Sequence, residues 1–234
     1  MTGAADTHRA MIELVARALG DDLLKRMAFL GGSATGLLIT DDLTRESVRH
    51  TEDVDLIVEA LSYGEWAQLR AELSARGFRE SPADEIICRM RLNEFLIVDF
   101  MPTDERILGF TNRWYQYALD TAGPYRIKPD LMIRLVTPAM FVATKLEAHR
   151  ARGNNDPLTS RDVEDLINLA DGRADLIDQV ASAMPDVRAF IAAEITALLR
   201  DRRFEDAVQG NVRDPGREAL VLERLDAIAE LAGP

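Results

Sequence analysis

Residues 27–33 read Met-Ala-Phe-Leu-Gly-Gly-Ser, and residues 53–58 read Asp-Val-Asp-Leu-Ile-Val. The first stretch is a short apolar run that stops at two glycines, which predicts a strand followed by a tight turn. In the second stretch apolar residues alternate with Asp53 and Asp55, which predicts a strand whose two aspartates point to the same face.

Helical and strand periods mix through the first half of the chain. Apolar residues recur at helical spacing over residues 11–19 and 63–76, and each stretch is followed by a glycine placed to end a helix. The apolar runs 86–92 and 95–101 predict two strands joined as a hairpin through Asn93-Glu94. This hairpin places Arg89 and Arg91 next to the Asp99 strand, where they either contact a nucleotide or pair with acids. This mixture is typical of a sheet flanked by helices.

From Thr137 onward every periodic segment is helical. Thr137 followed by Pro138 predicts the start of a helix that runs to about Arg152, with Gly153 at its C-terminal end. The segment from Thr159 to Asp162 has the spacing of a capping box and predicts the start of the next helix. The change of period near residue 136 predicts a mixed domain over residues 1–136 and an all-helical domain over residues 137–234.

The composition describes an acidic globular protein of 234 residues, 47% of them hydrophobic. Forty acidic and 28 basic residues give a net charge of −12, so no overall positive field attracts nucleic acid or anionic lipid. The only cysteine, Cys88, lies in an apolar stretch and is predicted to be a core residue, which fits a reducing compartment. No charge-free apolar stretch is long enough to cross a membrane. We expect a soluble, cytoplasmic protein with no membrane partner.

Three aspartates form the best candidate for chemistry. Asp53 and Asp55 share a strand face, and such close like charges are tolerated mainly when a cation lies between them. Asp99 lies in the apolar strand 95–101, where an ionised group needs a partner. Carboxylate oxygens of this kind suit Mg²⁺ or Mn²⁺, and a third carboxylate makes a two-metal site plausible. The alternative interpretation is an ordinary solvated strand face.

The turn before these aspartates suits a phosphate. Gly31 and Gly32 allow backbone N–H groups to approach a phosphate closely, and Ser33 is predicted to begin a helix whose N-terminus favours negative charge. A plain turn is the alternative.

A basic stretch in the second half is a second candidate. Residues 141–161 contain four Lys or Arg and two acids, a local charge of +2, and Lys145 is placed to reach a phosphate. Its alternative is a solvated basic face. Asp162 is either catalytic or only a helix cap. Asp165 orients either Lys145 or an acceptor hydroxyl, and the alternative is a surface charge.

Four segments resemble motifs of one family. They are Phe-Leu-Gly-Gly-Ser at 29–33, Arg-His-Thr-Glu-Asp-Val-Asp-Leu at 49–56, Ala-Thr-Lys-Leu-Glu-Ala at 143–148 and Ser-Arg-Asp-Val-Glu-Asp-Leu at 160–166. They are similar to the Gly-Gly-Ser/Thr, R-x-T-x-D-h-D-L (h, apolar), lysine-helix and R/K-D-x-x-D-L segments of the AbiEii-like nucleotidyltransferases, the toxins of type IV toxin–antitoxin systems. The first motif is shared by the whole polymerase-beta-like superfamily.

The resemblance implies an α/β nucleotidyltransferase-fold domain and a helical C-terminal domain, with the active site expected in the cleft between them. It implies metal ligands at Asp53, Asp55 and Asp99, nucleotide-binding residues at Gly31, Gly32, Ser33, Arg49, Thr51 and Lys145, and catalytic roles for the three aspartates, Lys145 and Asp162. The substrate would be a nucleoside triphosphate, the acceptor RNA such as a tRNA 3′ end, and the partner a cognate antitoxin. RNA binding would require Arg45, Arg49, His149, Arg150 and Arg152 to form a basic patch.

Two alternatives remain open at the level of sequence. The same chemistry with a small hydroxylated acceptor, such as an aminoglycoside, agrees better with the acidic composition. A catalytically silent fold that binds a nucleotide or a partner protein belongs to a different class of function.

Overall fold

Helices and one mixed β-sheet make up the protein, a computed structural model that describes residues 3–60, 62–82, 84, 86–109, 111–152 and 156–232. The strands are β1 (Met27–Leu30), β2 (Asp53–Val58), β3 (Phe78–Arg79), β4 (Arg89–Leu92), β5 (Leu96–Pro102), β6 (Gly123–Lys128) and β7 (Leu131–Leu135). The helices are α1 (Ala4–Leu24), α2 (Thr35–Leu38), α3 (Asp42–Arg45), α4 (Tyr63–Ala75), α5 (Glu105–Leu108), α6 (Tyr115–Thr121), α7 (Pro138–Ala151), α8 (Arg161–Gly172), α9 (Leu176–Ala181), α10 (Pro185–Leu199), α11 (Arg202–Asn211) and α12 (Glu218–Ala229). The predicted class, a mixed sheet flanked by helices, is confirmed.

The sheet has seven strands in the order β3-β4-β5-β2-β1-β7-β6. β2 pairs parallel with β5 and β1 pairs parallel with β7, whereas the other neighbours are antiparallel. Strand β2 is therefore a central strand, and its apolar residues Val54, Leu56 and Val58 are at most 1% exposed. The alternation seen in the sequence follows from this position, since one face of β2 packs into the core and the other carries the aspartates.

The hairpin between β4 and β5 is confirmed, with different strand bounds from those predicted. Asn93 and Glu94, the first two residues of the loop between Leu92 and its partner Leu96, adopt positive φ values of 52° and 68°. The ladder starts only at Arg89, and Phe95 belongs to the turn with 75% of its surface exposed. Both predicted strands began too early because Ile86, Ile87 and Phe95 are apolar but lie outside the ladder.

Both predicted glycine helix ends are found. Gly20 interrupts α1 with φ 68° and ψ 169°, and a short helical segment follows the kink up to Leu24. Gly77 follows α4 with φ 95°, a left-handed conformation that favours glycine. The guanidinium of Arg76 donates to the Leu19 carbonyl at 2.7 Å, next to the kink.

The chain forms two compact units, and the division differs from the predicted one. The first consists of the described residues of Met1–Ala34 and His50–Thr137, and the second of Thr35–Arg49 and Pro138–Pro234. The boundary predicted near residue 136 is close to the transition at 137. Residues 35–49, which the sequence placed in the first domain, belong to the second unit.

Contacts with the C-terminal end of α8 explain where residues 35–49 belong. The backbone N–H groups of Thr40 and Asp41 both donate to the Gly172 carbonyl at 3.0 Å, and the Thr44 hydroxyl donates to Asp171 Oδ2 at 2.6 Å. The other oxygen of Asp171 accepts from Arg217 Nε at 2.6 Å. These bonds satisfy carbonyl and carboxylate groups that a helix end would otherwise leave without partners.

The second unit is helical in its described residues, and one predicted cap is wrong. Helix α7 begins at Pro138 as expected, whereas Gly153, its predicted C-terminal residue, lies outside the described residues. The N-cap of α8 is Ser160, whose hydroxyl accepts from the Val163 N–H at 3.3 Å, and not Thr159. A shift of one residue moves Asp162 to the second helical position. Across the described helices, none is long and apolar enough to cross a membrane.

The packing of Gly172 yields a first prediction. A Cβ at this position would lie 2.5 Å from Ile39 Cγ2 and 2.9 Å from Thr44 Cγ2, so Gly172→Ala forces the 35–49 segment away from α8. We expect a loss of about 1–3 kcal/mol in the free energy of unfolding, measured by urea denaturation. The matched control is Gly210→Ala in α11, where a Cβ meets no atom within 4 Å; it should stabilise by up to about 1 kcal/mol. Equal stability of the two variants would contradict the proposed packing.

Candidate functional site

Three carboxylates meet on one face of the sheet, as the sequence predicted. In the parallel pairing of β2 with β5, Asp55 lies directly beside Asp99, and Asp53 is two residues away on the same face. One oxygen from each of the three side chains lies within 4.8 Å of the others. Asp99 is 7% exposed, and the other two are half-buried. We name Asp53, Asp55 and Asp99 the carboxylate triad.

Arg89 extends this row onto the next strand. It lies opposite Asp99 in the β4–β5 ladder, and its Nε and Nη2 donate to the two oxygens of Asp99, each at 2.8 Å. The hydrogen bonds with Asp99 raise the pKa of the Arg89 guanidinium, which therefore stays charged. Arg91, two residues further, makes the same two-pronged contact with Asp84 at 2.8 and 2.7 Å. Sequence reasoning placed both arginines beside the Asp99 strand but left open whether they bind acids.

The glycine turn lies against the triad. Leu30 is the register partner of Asp55, and Gly31 follows with φ 79°, so that its Cα faces the Asp55 carboxylate. A Cβ at Gly31 would lie 2.6 Å from Asp55 Cγ and nearer still to its Oδ2. The tight approach explains why glycine stands here.

The helix predicted to begin at Ser33 is very short. Residues Gly32–Ala34 form a 3₁₀ turn and α2 adds four residues, so no long helix dipole points at a ligand. Any phosphate here would rely on the N–H groups of the turn. Ser33 Oγ is buried and has no hydrogen-bond partner among the described residues, which is costly unless a ligand supplies one.

Thr51 supports the triad from the preceding segment. Its hydroxyl donates to Asp53 Oδ1, and its backbone N–H donates to Nε2 of the buried His8 at 3.1 Å. His8 accepts this bond through Nε2, so the ring is neutral with its proton on Nδ1. Sequence reasoning missed this role of His8, because the partner of the histidine lies 43 residues away.

The donor set of the triad fits a divalent cation. The carboxylate oxygens of the triad, one from each residue within 4.8 Å of the others, are hard ligands of the type that Mg²⁺ and Mn²⁺ prefer. Cys88 is not among the ligands: it is buried as predicted, and burial together with the charge of Asp99 raises the pKa of its thiol to about 12. The site is therefore an all-oxygen site.

A second charged cluster lies inside the second unit. Lys145 Nζ donates to Asp165 Oδ2 at 2.6 Å and to Asp162 Oδ1 at 3.2 Å. Arg49 contacts both oxygens of Asp165 at 3.2 Å, and Arg152 Nη1 donates to Asp162 Oδ2 at 2.6 Å. We name these five residues the Lys145 cluster; its three cations and two carboxylates leave a charge of +1.

The buried carboxylate of Asp165 is held ionised. Burial alone would raise the pKa of Asp165, but Lys145 and Arg49 outweigh it, and the net pKa is lowered from its usual value. Asp165 thus contacts and orients Lys145, one of the interpretations left open, and is not a surface charge. Asp162 is not the acidic member of a capping box, because Ser160 is the cap; its carboxylate binds Lys145 and Arg152 instead.

The basic residues expected to contact RNA each have a partner in the second unit. Arg45 pairs with Asp42, Arg49 with Asp165, Arg150 with Glu194 at 3.2 Å and Arg152 with Asp162. His149 Nδ1 lies 2.8 Å from Ser160 Oγ, and burial lowers the pKa of this histidine, so its ring favours the neutral form. The local excess of positive charge is therefore largely neutralised by carboxylates that the sequence alone did not place nearby.

The predicted site residues divide between the two units. The first contains the triad, the glycine turn with Ser33, and Thr51; the second contains Arg49, Lys145 and Asp162. Within the motif at 49–56, the side chains of Arg49 and Thr51 thus bind acids of different units.

No family model and no curated protein sequence matches the chain. Among solved structures, the chain is similar to the crystal structure of JHP933 from Helicobacter pylori, with a TM-score of 0.50 and 13% sequence identity. The likeness covers 99% of this chain and 93% of that chain. At this identity it supports the mixed α/β fold and nothing further about function.

Gly31 gives a test of the site geometry. Gly31→Ala should displace the Asp55 carboxylate and weaken Mn²⁺ binding by at least about tenfold, because a Cβ cannot share the space of that side chain. Isothermal titration calorimetry with MnCl₂ measures the effect. Gly109→Ala is the matched control: Gly109 also has a positive φ, 77°, but its Cβ would meet nothing within 4 Å, so that Mn²⁺ affinity should be unchanged.

The Lys145 cluster gives a test of stability. Lys145→Met removes the closest cation from a carboxylate that is 1% exposed, and we expect a loss of about 3–5 kcal/mol in the free energy of unfolding. Arg150→Met is the control, because the side chain of Arg150 is 51% exposed and its ion pairs lie at the surface; it should cost less than about 1 kcal/mol. Similar losses in both variants would contradict a buried, tightly coupled cluster.

Proposed function

We propose that the protein is a metal-dependent nucleotidyltransferase that transfers a nucleoside monophosphate from a nucleoside triphosphate to an acceptor hydroxyl. The observation that carries this proposal is the convergence of three carboxylates from two adjacent parallel strands beside a glycine turn. The motif resemblance at residues 29–33 and 49–56 supports the same reaction class. A divalent cation bound there would neutralise the triphosphate and stabilise the charge that develops during transfer.

The residues of the first unit have distinct roles in this reaction. Asp53 and Asp55 would hold the Mg²⁺ or Mn²⁺, with Thr51 fixing the orientation of Asp53. Asp99 would accept the proton of the acceptor hydroxyl as its oxygen forms a bond to the α-phosphorus. The bond between the α-phosphorus and the bridging oxygen to the β-phosphate breaks, and pyrophosphate leaves. The backbone N–H of Gly32 and the Ser33 hydroxyl would bind the β- and γ-phosphates.

The roles predicted for Arg49, Lys145 and Asp162 stay predictions. Lys145 and Arg49 are both bound to Asp165. Contact of either with a phosphate would add an anion to a cluster whose charge is already +1, which is electrostatically favourable.

For the acceptor we propose RNA, such as a tRNA 3′ end, with growth inhibition controlled by a cognate antitoxin. This part of the proposal rests on the combined motifs at 143–148 and 160–166.

A small hydroxylated acceptor is the second candidate, and a specific observation favours it. The arginines expected to bind RNA are each paired with carboxylates, and the chain carries a net charge of −12. A cationic acceptor such as an aminoglycoside would be attracted by this charge, whereas a polyanion would have to compete for the arginines.

The test incubates the purified protein with Mg²⁺, each α-³²P-labelled nucleoside triphosphate, and either total RNA or a panel of aminoglycosides. We expect label on one class of acceptor, loss of label with EDTA, and recovery with Mn²⁺. Asp55→Asn should reduce transfer by at least about a thousandfold, because it removes a metal ligand.

The control for this substitution is Asp84→Asn, which removes a carboxylate that precedes strand β4 and binds Arg91 and not the triad. It should retain most of the activity. Transfer that is equal in Asp55→Asn and the unaltered protein, or label on no acceptor, would refute the enzymatic proposal and leave a nucleotide- or partner-binding fold.

A further inference from the structure

Arg89 makes a two-pronged polar contact with one member of the carboxylate triad. Its two parallel N–H groups bind both oxygens of Asp99 at 2.8 Å, and the two side chains are 20% and 10% exposed. We propose that Arg89 is a positioning residue that fixes the Asp99 carboxylate and also keeps the affinity of the nucleotide-free triad for divalent cations low. The inference rests on the proposed function and concerns how that same site is regulated.

The charge balance of the site is the first argument. The triad carries −3, and Arg89 adds +1, which leaves −2. A guanidinium cannot lose its proton at physiological pH, so this positive charge is permanent. A divalent cation entering the site is attracted by the carboxylates and repelled by Arg89 at short range in a partly buried environment. The affinity of the nucleotide-free triad for a divalent cation is therefore lower than three converging carboxylates alone would give.

The geometry of the contact is the second argument. A two-pronged bond fixes the plane of the carboxylate, which a single bond does not. An ionised carboxylate offers about four acceptor positions, and Arg89 uses two of them. Asp99 is thereby held in one orientation, with its remaining acceptor positions free for a cation or a hydroxyl proton.

The order in which ligands bind follows from these two arguments. A triphosphate brings additional negative charge to the site and offsets the repulsion from Arg89. Divalent cations should consequently bind more tightly when nucleotide is present than when it is absent. Arg89 thus links occupancy of the metal site to the presence of substrate.

The neighbouring Arg91 provides a matched control. It lies two residues along the same strand and forms the same two-pronged contact, but with Asp84, which is outside the triad. Arg91→Gln changes the charge on the same strand by the same amount. It should leave the contact between Arg89 and Asp99 intact.

The experiment titrates nucleotide-free protein with MnCl₂ by calorimetry and measures nucleotidyl transfer in parallel. Arg89→Gln should bind Mn²⁺ about tenfold more tightly than the unaltered protein, because the repelling charge is gone, while kcat falls. Arg89→Lys keeps the charge without the two parallel bonds, so its Mn²⁺ affinity should stay near that of the unaltered protein while kcat falls. Arg91→Gln should change neither. A merely damaged site would lose metal affinity and activity together.

Each outcome separates this inference from the proposed function. Unchanged or weaker Mn²⁺ binding in Arg89→Gln overturns the inference, even if transfer activity is present. If Arg89→Gln does not fold, Arg89→Lys decides: a kcat equal to that of the unaltered protein overturns the positioning role. Tighter Mn²⁺ binding in Arg89→Gln with no transfer by any variant supports the effect on metal affinity and refutes the enzymatic function.

Discussion

The in-register parallel pairing of β2 with β5 is the constraint on which the site depends. It sets Asp55 beside Asp99 and brings three negative charges onto one face of a central part of the sheet. Like charges at this separation repel one another strongly where bulk water does not screen them. Such a face is therefore stable only with cations nearby. Arg89, on the neighbouring strand, supplies one positive charge, and the −2 that remains matches the charge of one divalent ion. Gly31 follows from the same pairing, since the Asp55 side chain occupies the space where a Cβ would be.

In the second unit, neighbouring carboxylates are also brought together, but there the surrounding cations outnumber them. Asp162 and Asp165 are buried, but three cations surround them, so the Lys145 cluster carries a small positive charge. A buried carboxylate is tolerated only with such partners. Arg49 belongs to this arrangement although it lies four residues before Asp53 in sequence. The single motif at residues 49–56 thus contributes side chains to two separate charge clusters, one in each unit.

Local patterns in the sequence predicted much of this structure, and the errors share a cause. Alternating polarity at 53–58 was sufficient for strand β2, and the hairpin placed Arg89 beside Asp99. The assignment of residues 35–49 failed because their anchors, Gly172 and Arg217, are more than 120 residues away in the chain. The cap of α8 was misplaced by one residue because Thr159 and Ser160 are both good N-cap residues, and only the observed bond to Val163 distinguishes them.

Local charge, and not the total, decides what the protein can bind. A net charge of −12 argues against polyanions, whereas the +2 of residues 141–161 argues for them. Both numbers ignore the pairing of side chains in space. The structure pairs Arg150 and Arg152 with Glu194 and Asp162, so a phosphate that approaches either arginine competes with a nearby carboxylate for it. A triphosphate accompanied by a divalent cation meets no such competition at the triad, because it brings the positive charge that the site lacks. The charges of this fold therefore support nucleotide binding more strongly than recognition of an RNA acceptor.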